Sequence, residues 1–253
     1  MNTQDKIFKS YKAIRSDFLY ENRDQRNNFI DNLFKTHYLP HISRKKEEGI
    51  LEIGCNRGYM LSALRKYGFT NVEGIDLSLE DIKMAKDMGF CAESTNVFDH
   101  LDGNRKYDVI ISKDVMEHIP KDRQEEFVKR VYDALQPGGV ALVQVPNMDW
   151  MFSNHERYMD FTHEIGYTRE SLADMYRLYF SGDQVEVVPA SYIFLNTLKQ
   201  KIIFGFVRPI LLKMLRLFFK ILGEGACDIW FEHREILVIA KKEDLNEKNI
   251  GNL

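Results

Sequence analysis

The chain has 253 residues, enough for one large domain with additions and a full core. Hydrophobic residues make up 44% and charged residues 29%, an ordinary balance for a soluble globular protein, and a net charge of -3 gives no reason to expect a nucleic-acid partner. Cys55, Cys91 and Cys227 form no metal or disulfide pattern, and residues 1–9 hold no apolar run of the secretory kind, so the expected setting is reducing and cytoplasmic.

Residues 1–49 read as mostly helical. Phe29, Ile30, Leu33, Phe34 and Tyr38 recur at helical spacing until Pro40 closes the segment. Tyr11, Arg15, Tyr20 and Arg23 come before that helix and read as packed surface, with a cap over a ligand mouth as the alternative. At 50–58 an apolar run carrying Glu52 breaks into Gly54-Cys55-Asn56-Arg57-Gly58. A buried parallel strand passes to a helix in this way, across a loop that lies against a ligand. Gly54 lets backbone approach the ligand, and Gly58 lets the helix start tightly against the strand. Asn56 tolerates the left-handed conformation that a middle glycine would supply.

Tyr59, Met60, Leu61 and Leu64 then make a helix that ends at Arg65, Lys66 and Gly68. A second strand, 71–76, ends in Asp76, where a carboxylate accepts ribose hydroxyls. Ser78 with Asp81 reads as a capping box for a helix that Gly89 ends. A third strand covers 90–92, and Asn96-Val97-Phe98 after it reads as a ligand contact or a solvated turn. The fourth strand, 107–112, leads into Lys113-Asp114-Val115-Met116-Glu117-His118. The next helix has Asp122, Gln124 and Glu125 in its first turn and Phe127, Val128, Val131 and Leu135 on one face, and Gln136-Pro137-Gly138-Gly139 stops it. The fifth strand, 140–145, ends at Pro146-Asn147. Such alternation calls for a parallel sheet covered on both faces.

The spacing of Glu52, Gly54, Asn56 and Gly58, with Asp76 and the later runs at 114–118, 135–139 and 145–147, resembles class I methyltransferases that use S-adenosylmethionine (SAM). The resemblance implies a Rossmann-like α/β fold: a seven-stranded, mostly parallel sheet with helices on both faces and a helical insert before the last strand. It implies SAM as cofactor, held by Glu52, Gly54, Asn56, Gly58, Asp76, Leu77, Asn96, Val97, Lys113 and His118. Asp114 and Glu117 sit in a Glu-His run similar to one associated with magnesium in ubiquinone-pathway O-methyltransferases. Helix capping beside the methionine end of SAM is the preferred reading, so no metal is expected.

Residues 148–167 are polar, aromatic and irregular, and read as a lid over the acceptor. Thr168 caps a helix bearing Leu172, Met175, Tyr176 and Tyr179, and 184–188 and 235–240 are the sixth and seventh strands. The segment from Arg157 through Glu164 looks like a pattern in methyltransferases of bacterial surface-polysaccharide clusters, which implies a glycan or nucleotide-sugar-derived acceptor. Histidine suits a general base near neutrality. His163 is the first choice, with Asp160 to orient it, and His118 the second. Arg157 would hold an anionic acceptor, and Tyr158, Tyr167 and Asn147 would line the same side.

In that family the last two strands join through a short hairpin, whereas here 189–233 intervenes. No acidic residue occurs over 187–223, while Lys199, Lys201, Arg208, Lys213, Arg216 and Lys220 do. Charges and Pro209 interrupt any bilayer-spanning run. The insert reads as a basic amphipathic helix pair with Lys213, Arg216 and Lys220 on one face. It lies on a membrane through 198–222, packs on a second copy as a homodimer, or covers its own sheet. The organisation expected is an N-terminal helical cap (1–49), a SAM-binding core with the lid (50–189), the insert (190–233), and the last strand with a polar tail (234–253). The expected function is O-methylation of a surface-glycan precursor. The alternatives are a quinone- or lipid-type O-methyltransferase peripheral at the inner face of a membrane, and a non-catalytic SAM-fold assembly protein.

Overall fold

The computed structural model describes residues 23–43, 45–191, 197–223 and 229–244. Tyr11, Arg15, Tyr20, Cys227 and the tail beyond 244 lie outside the described residues, as does the side chain of Arg23.

Seven strands form one sheet: β1 (Ile50–Ile53), β2 (Val72–Asp76), β3 (Cys91–Ser94), β4 (Tyr107–Lys113), β5 (Leu135–Pro146), β6 (Val185–Pro189) and β7 (Glu235–Lys241). Their order is β3-β2-β1-β4-β5-β7-β6, with β1 to β5 parallel and β7 antiparallel to both neighbours. Because β1 lies between β2 and β4, the winding reverses there, and the loops leaving the carboxyl ends of these strands open onto one crevice.

Nine α-helices are described: α1 (Arg23–Leu33), α2 (Tyr59–Lys66), α3 (Leu79–Asp87), α4 (Val97–His100), α5 (Gln124–Ala134), α6 (Ser153–Tyr158), α7 (Arg169–Arg177), α8 (Leu198–Ile202) and α9 (Arg208–Ile221). Side chains alternate along each strand, so the sheet has two cores. Leu51, Ile110, Val143 and Val238 pack with Val128 of α5 and Tyr176 of α7. Ile50, Val109, Leu142 and Ile239 pack with Leu33, Leu61 and Ile82 of α1, α2 and α3. Burial on both faces is why these strands read as unbroken apolar runs.

Several boundaries differ from expectation. The Gln136-Pro137-Gly138-Gly139 stop belongs to β5, because Gly138 N–H donates to Lys242 O (3.0 Å) and Lys242 N–H to Gly139 O (2.8 Å), which draws this stretch into the sheet edge. The Ser78 box is one-sided. Ser78 Oγ accepts from Asp81 N–H at 3.2 Å, but the Asp81 carboxylate takes Arg57 Nε at 2.9 Å. Asn96-Val97-Phe98 opens α4 instead of forming a turn, and Tyr179 falls beyond the end of α7. The insert is one helical run. α8 passes into α9 through a π-helical turn, Ile203–Val207, with helical backbone at both joints, instead of folding back as a pair. Pro209 directly follows the π-helical turn, the local change of hydrogen-bond pattern that accommodates its missing N–H within the run.

Candidate active site

The loop after β1 is held from both sides. Gly54 has φ 78°, and a Cβ there would lie 2.3 Å from Val115 Cγ2, so the loop lies directly against the chain leaving β4. Gly54 and Cys55 N–H both donate to Ile75 O, at 2.8 and 2.9 Å. Asn56 adopts the left-handed φ of 49° and donates its N–H to Asp76 Oδ2 at 2.9 Å, while Ser78 N–H donates to Asp76 Oδ1 at 2.8 Å. Burial pushes the Asp76 carboxyl above its ordinary pKa, against the pull of these N–H groups. Each carboxylate oxygen keeps capacity to accept a ligand hydroxyl. Gly58, φ 79°, leaves no room for a Cβ beside Phe90, 2.8 Å away.

Glu52 lies buried beneath the loop, where it accepts a backbone hydrogen bond from Leu61, and its Oε2 has no partner among the described residues. Burial, then Asp76, pushes its pKa well up. Thr95 N–H donates to Asp76 O at 3.1 Å, which brings Asn96 and Val97 beside Asp76. The Asn96 side chain caps α4 by accepting Phe98 N–H at 2.9 Å, and Leu77 is exposed. A carboxylate at the end of β2, a cradle that a Cβ would fill and backbone at the end of β3 fit a nucleoside such as that of SAM.

At the end of β4, Lys113 Nζ pairs with Asp114, whose φ is 54°, and lies 4.0 Å from Glu235 Oε1. Burial lowers the Lys113 ammonium's pKa, but Asp114 and Glu235 outweigh that and hold it above its usual value. Lys113, expected at the cofactor, is therefore the centre of an ion network. Gln144 donates to Glu235 and accepts from Tyr38 Oη–H at 2.7 Å. Glu117 is buried, neither carboxyl oxygen has a hydrogen-bond partner among the described residues, and Oε1 lies 4.0 Å from His118 Nε2; burial, then Asp114, raises its pKa well above the carboxylate range. Its backbone carbonyl accepts N–H of Glu164 (2.8 Å) and Ile165 (3.3 Å), which ties the lid down.

His118 Nδ1 lies 2.9 Å from Thr162 Oγ1, and Thr162 donates both Oγ1–H (2.7 Å) and N–H (2.9 Å) to Asp160 Oδ1. The hydroxyl has one proton and gives it to Asp160, so the His118 contact is Nδ1–H donating to Thr162. That tautomer carries its lone pair on Nε2. Burial, then the neighbouring His163, lowers the His118 pKa to about 4. The two imidazole centroids are 4.7 Å apart. Glu117, His118 and His163 offer ligand atoms within 4.8 Å of one another, a set that a divalent cation could take; it shares Glu117 and His118 with the run weighed from sequence and has His163 in place of Asp114.

Four expected site residues do something else. The backbone carbonyl of Asp160 accepts His163 N–H at 3.2 Å, and its carboxylate accepts from Thr162. Arg157 clamps its own loop, donating to the carbonyls of His163 and of Glu164 (2.9 Å), so two of its donors are already committed. Tyr167 is core: it is buried, and its Oη–H donates to Gln124 Oε1 at 2.5 Å. Asn147 is also buried; it donates to Trp230 O (2.9 Å) and His233 O (2.8 Å), which commits both of its N–H groups, and accepts from Asp149 N–H (3.0 Å). Tyr158 is exposed. Thr162 was missed, although Asp-x-Thr inside a loop is the spacing of an Asx turn. Arg26, whose charge acts on Lys113 and Asp114 from α1, had no local signal.

The chain is 28% identical over 127 residues to the Ubiquinone biosynthesis O-methyltransferase of Rickettsia akari (strain Hartford), covering 47% of each chain. It is 28% identical over 130 residues to the Sphingolipid C9-methyltransferase of Candida albicans, covering 46% of this chain and 25% of that one. It therefore spans about half the length of the first relative and a quarter of the second. The crystal structure of a SAM dependent methyltransferase from Archaeoglobus fulgidus superposes with a TM-score of 0.64 at 20% identity, covering 85% of this chain and 94% of that one, a likeness of fold. Residues 23–181 match the family model described as "Methyltransferase domain", and this chain belongs to that family, with the class I SAM-dependent fold.

Proposed function

We propose that this chain transfers the methyl group of SAM to a hydroxyl of a quinone- or lipid-type acceptor, with His118 as the proton acceptor. The observation that carries the reading is the Asp160-Thr162-His118 relay on the segment whose Val115 touches the Gly54 loop. SAM, when bound, supplies a methyl group already activated on a sulfonium. The chain's part is alignment and proton transfer. Asp76 accepts the ribose hydroxyls. His118 Nε2 takes the acceptor's proton, and the Asp160 charge, passed through Thr162, stabilises the imidazolium that forms.

The acceptor class is supported by the two relatives, whose names refer to ubiquinone and to sphingolipid. A surface-glycan acceptor is the second reading. The 157–164 segment favours it, and the commitment of Arg157 to its own loop weakens it. The relay, and a buried Glu117 with no hydrogen-bond partner among the described residues, weigh against a non-catalytic assembly role, because buried polar groups without hydrogen bonds are costly to keep.

The test is turnover of alkylated catechols against nucleotide sugars. His118→Ala should keep its affinity for S-adenosylhomocysteine and lose about 10²–10⁴-fold in turnover, the range for a lost general base. Thr162→Val should lose part of that and shift the pH profile. Near-normal turnover in both variants would remove His118 from the mechanism. Activity that a chelator abolishes and magnesium restores would reassign Glu117, His118 and His163 to a metal. Turnover of nucleotide sugars alone would reverse the order of acceptors.

A further inference from the structure

We infer that the helical run 198–221 is a docking element for an anionic lipid surface, lying in the plane of the bilayer. No residue of α8, of the π turn or of α9 is buried. One stripe of α9 faces the protein: Arg216 pairs with Glu232 (2.5 Å), Arg208 donates to Glu232 O (3.3 Å), and Phe219 meets Phe231 at 5.5 Å between ring centroids. The other side carries Ile210, Leu211, Met214, Leu217, Phe218 and Ile221, each more than half exposed. Their spacing puts them on one arc of the helix. Lys213 and Lys220, two turns apart and exposed, line its edge.

Charge decides the occupant. No carboxylate occurs over 187–223, so a second copy set against this arc would meet only lysine edges, with nothing in the run to pair them. The sheet of the chain itself does not need the helix, since both faces are already covered by α1, α2 and α3 and by α5 and α7. An anionic bilayer offers acyl chains to the arc and phosphates to the lysines. No helix among the described residues is long and apolar enough to cross a membrane. The strand-side support of α9 also carries the lid: Met151 N–H donates to Phe231 O at 2.9 Å, and Asn147 holds Trp230 and His233. Docking would therefore turn the acceptor side toward the lipid.

The experiment is co-sedimentation of the full chain with vesicles of equimolar phosphatidylcholine and phosphatidylglycerol, beside phosphatidylcholine alone. Binding should require phosphatidylglycerol and fall at high salt. Lys213→Gln with Lys220→Gln should weaken it by roughly thirty-fold, from the usual contribution of each basic residue near such a surface. Leu217→Glu with Phe218→Glu should abolish it. S-adenosylhomocysteine affinity, unchanged in both, certifies the fold and separates this test from that of the acceptor. Failure of the wild-type chain to bind either vesicle overturns the inference. So does sedimentation velocity showing a dimer that the Leu217→Glu, Phe218→Glu pair dissolves, which would give the arc to a second copy.

Discussion

Thr162 carries no charge, yet it decides which nitrogen of His118 bears the proton, because its own proton is committed to Asp160. The consequence can be read in stability as well as rate. The folded pKa of His118, about 4, lies below the unfolded value of about 6.5. Between those values the unfolded chain binds more protons. The stability linked to this group is therefore complete above about pH 6.5 and is lost as pH falls toward 4, on the order of 3 kcal/mol in total. Glu52 and Glu117, both raised, act in the opposite sense, costing stability as pH climbs above their unfolded values. Denaturant titrations of wild type and His118→Asn across this range isolate the histidine. The variant should lack the acid-side loss, and parallel curves would remove the assigned shift. Asp76 offers a second test. Asp76→Ala should weaken S-adenosylhomocysteine by about 1.5–3 kcal/mol in calorimetry, as charged hydrogen bonds are lost. An unchanged affinity would put the nucleoside elsewhere.

The elements themselves were legible because their signals are local. Glycine at both ends of the loop after β1, apolar runs for β1 and β4, and Thr168 before α7 each act within a few residues, and α7 keeps its reciprocal cap with Ser171. What was not legible was mostly longer in range. Asn147, Tyr167 and Arg157 look like ligand groups when read along the chain, being polar or aromatic in an irregular segment. The partners of Asn147 and Tyr167 include Trp230, His233 and Gln124, far off in sequence. Arg157 instead turns back on the carbonyls of His163 and Glu164 in its own loop, a fold of the backbone that side-chain pattern does not encode. Leu135–Pro146 shows the same limit, since the Gly138-Gly139 turn was drawn into a strand by Lys242. This element makes its own prediction. A Cβ on Gly139 would lie 2.9 Å from Gln136 O and 3.0 Å from Asp108 O, backbone atoms that cannot step aside. Gly139→Ala should destabilise by about 1–3 kcal/mol, whereas Gly182→Ala, with open space around it, should be neutral or slightly stabilising. Equal melting temperatures for the two variants would contradict the packing described at β5.

For the molecule as a whole, the sheet order puts the loop after β1, Asp76 and the chain after β4 on one edge, and those contacts follow from topology that the strand–helix alternation already announced. The acceptor does not follow in the same way, since it depends on the lid and the insert, where charge and polarity serve local clamps as readily as ligands. The insert has one more property. The chain leaves the sheet at Pro189 and returns at Ile236, directly across an antiparallel ladder, with Ala190 N–H donating to Glu235 O at 3.0 Å. An excursion that starts and finishes at the same rung is a cassette. Its helical part can be lengthened, exchanged or trimmed without breaking a rung of the sheet, so long as the Trp230–His233 turn that holds the lid is kept.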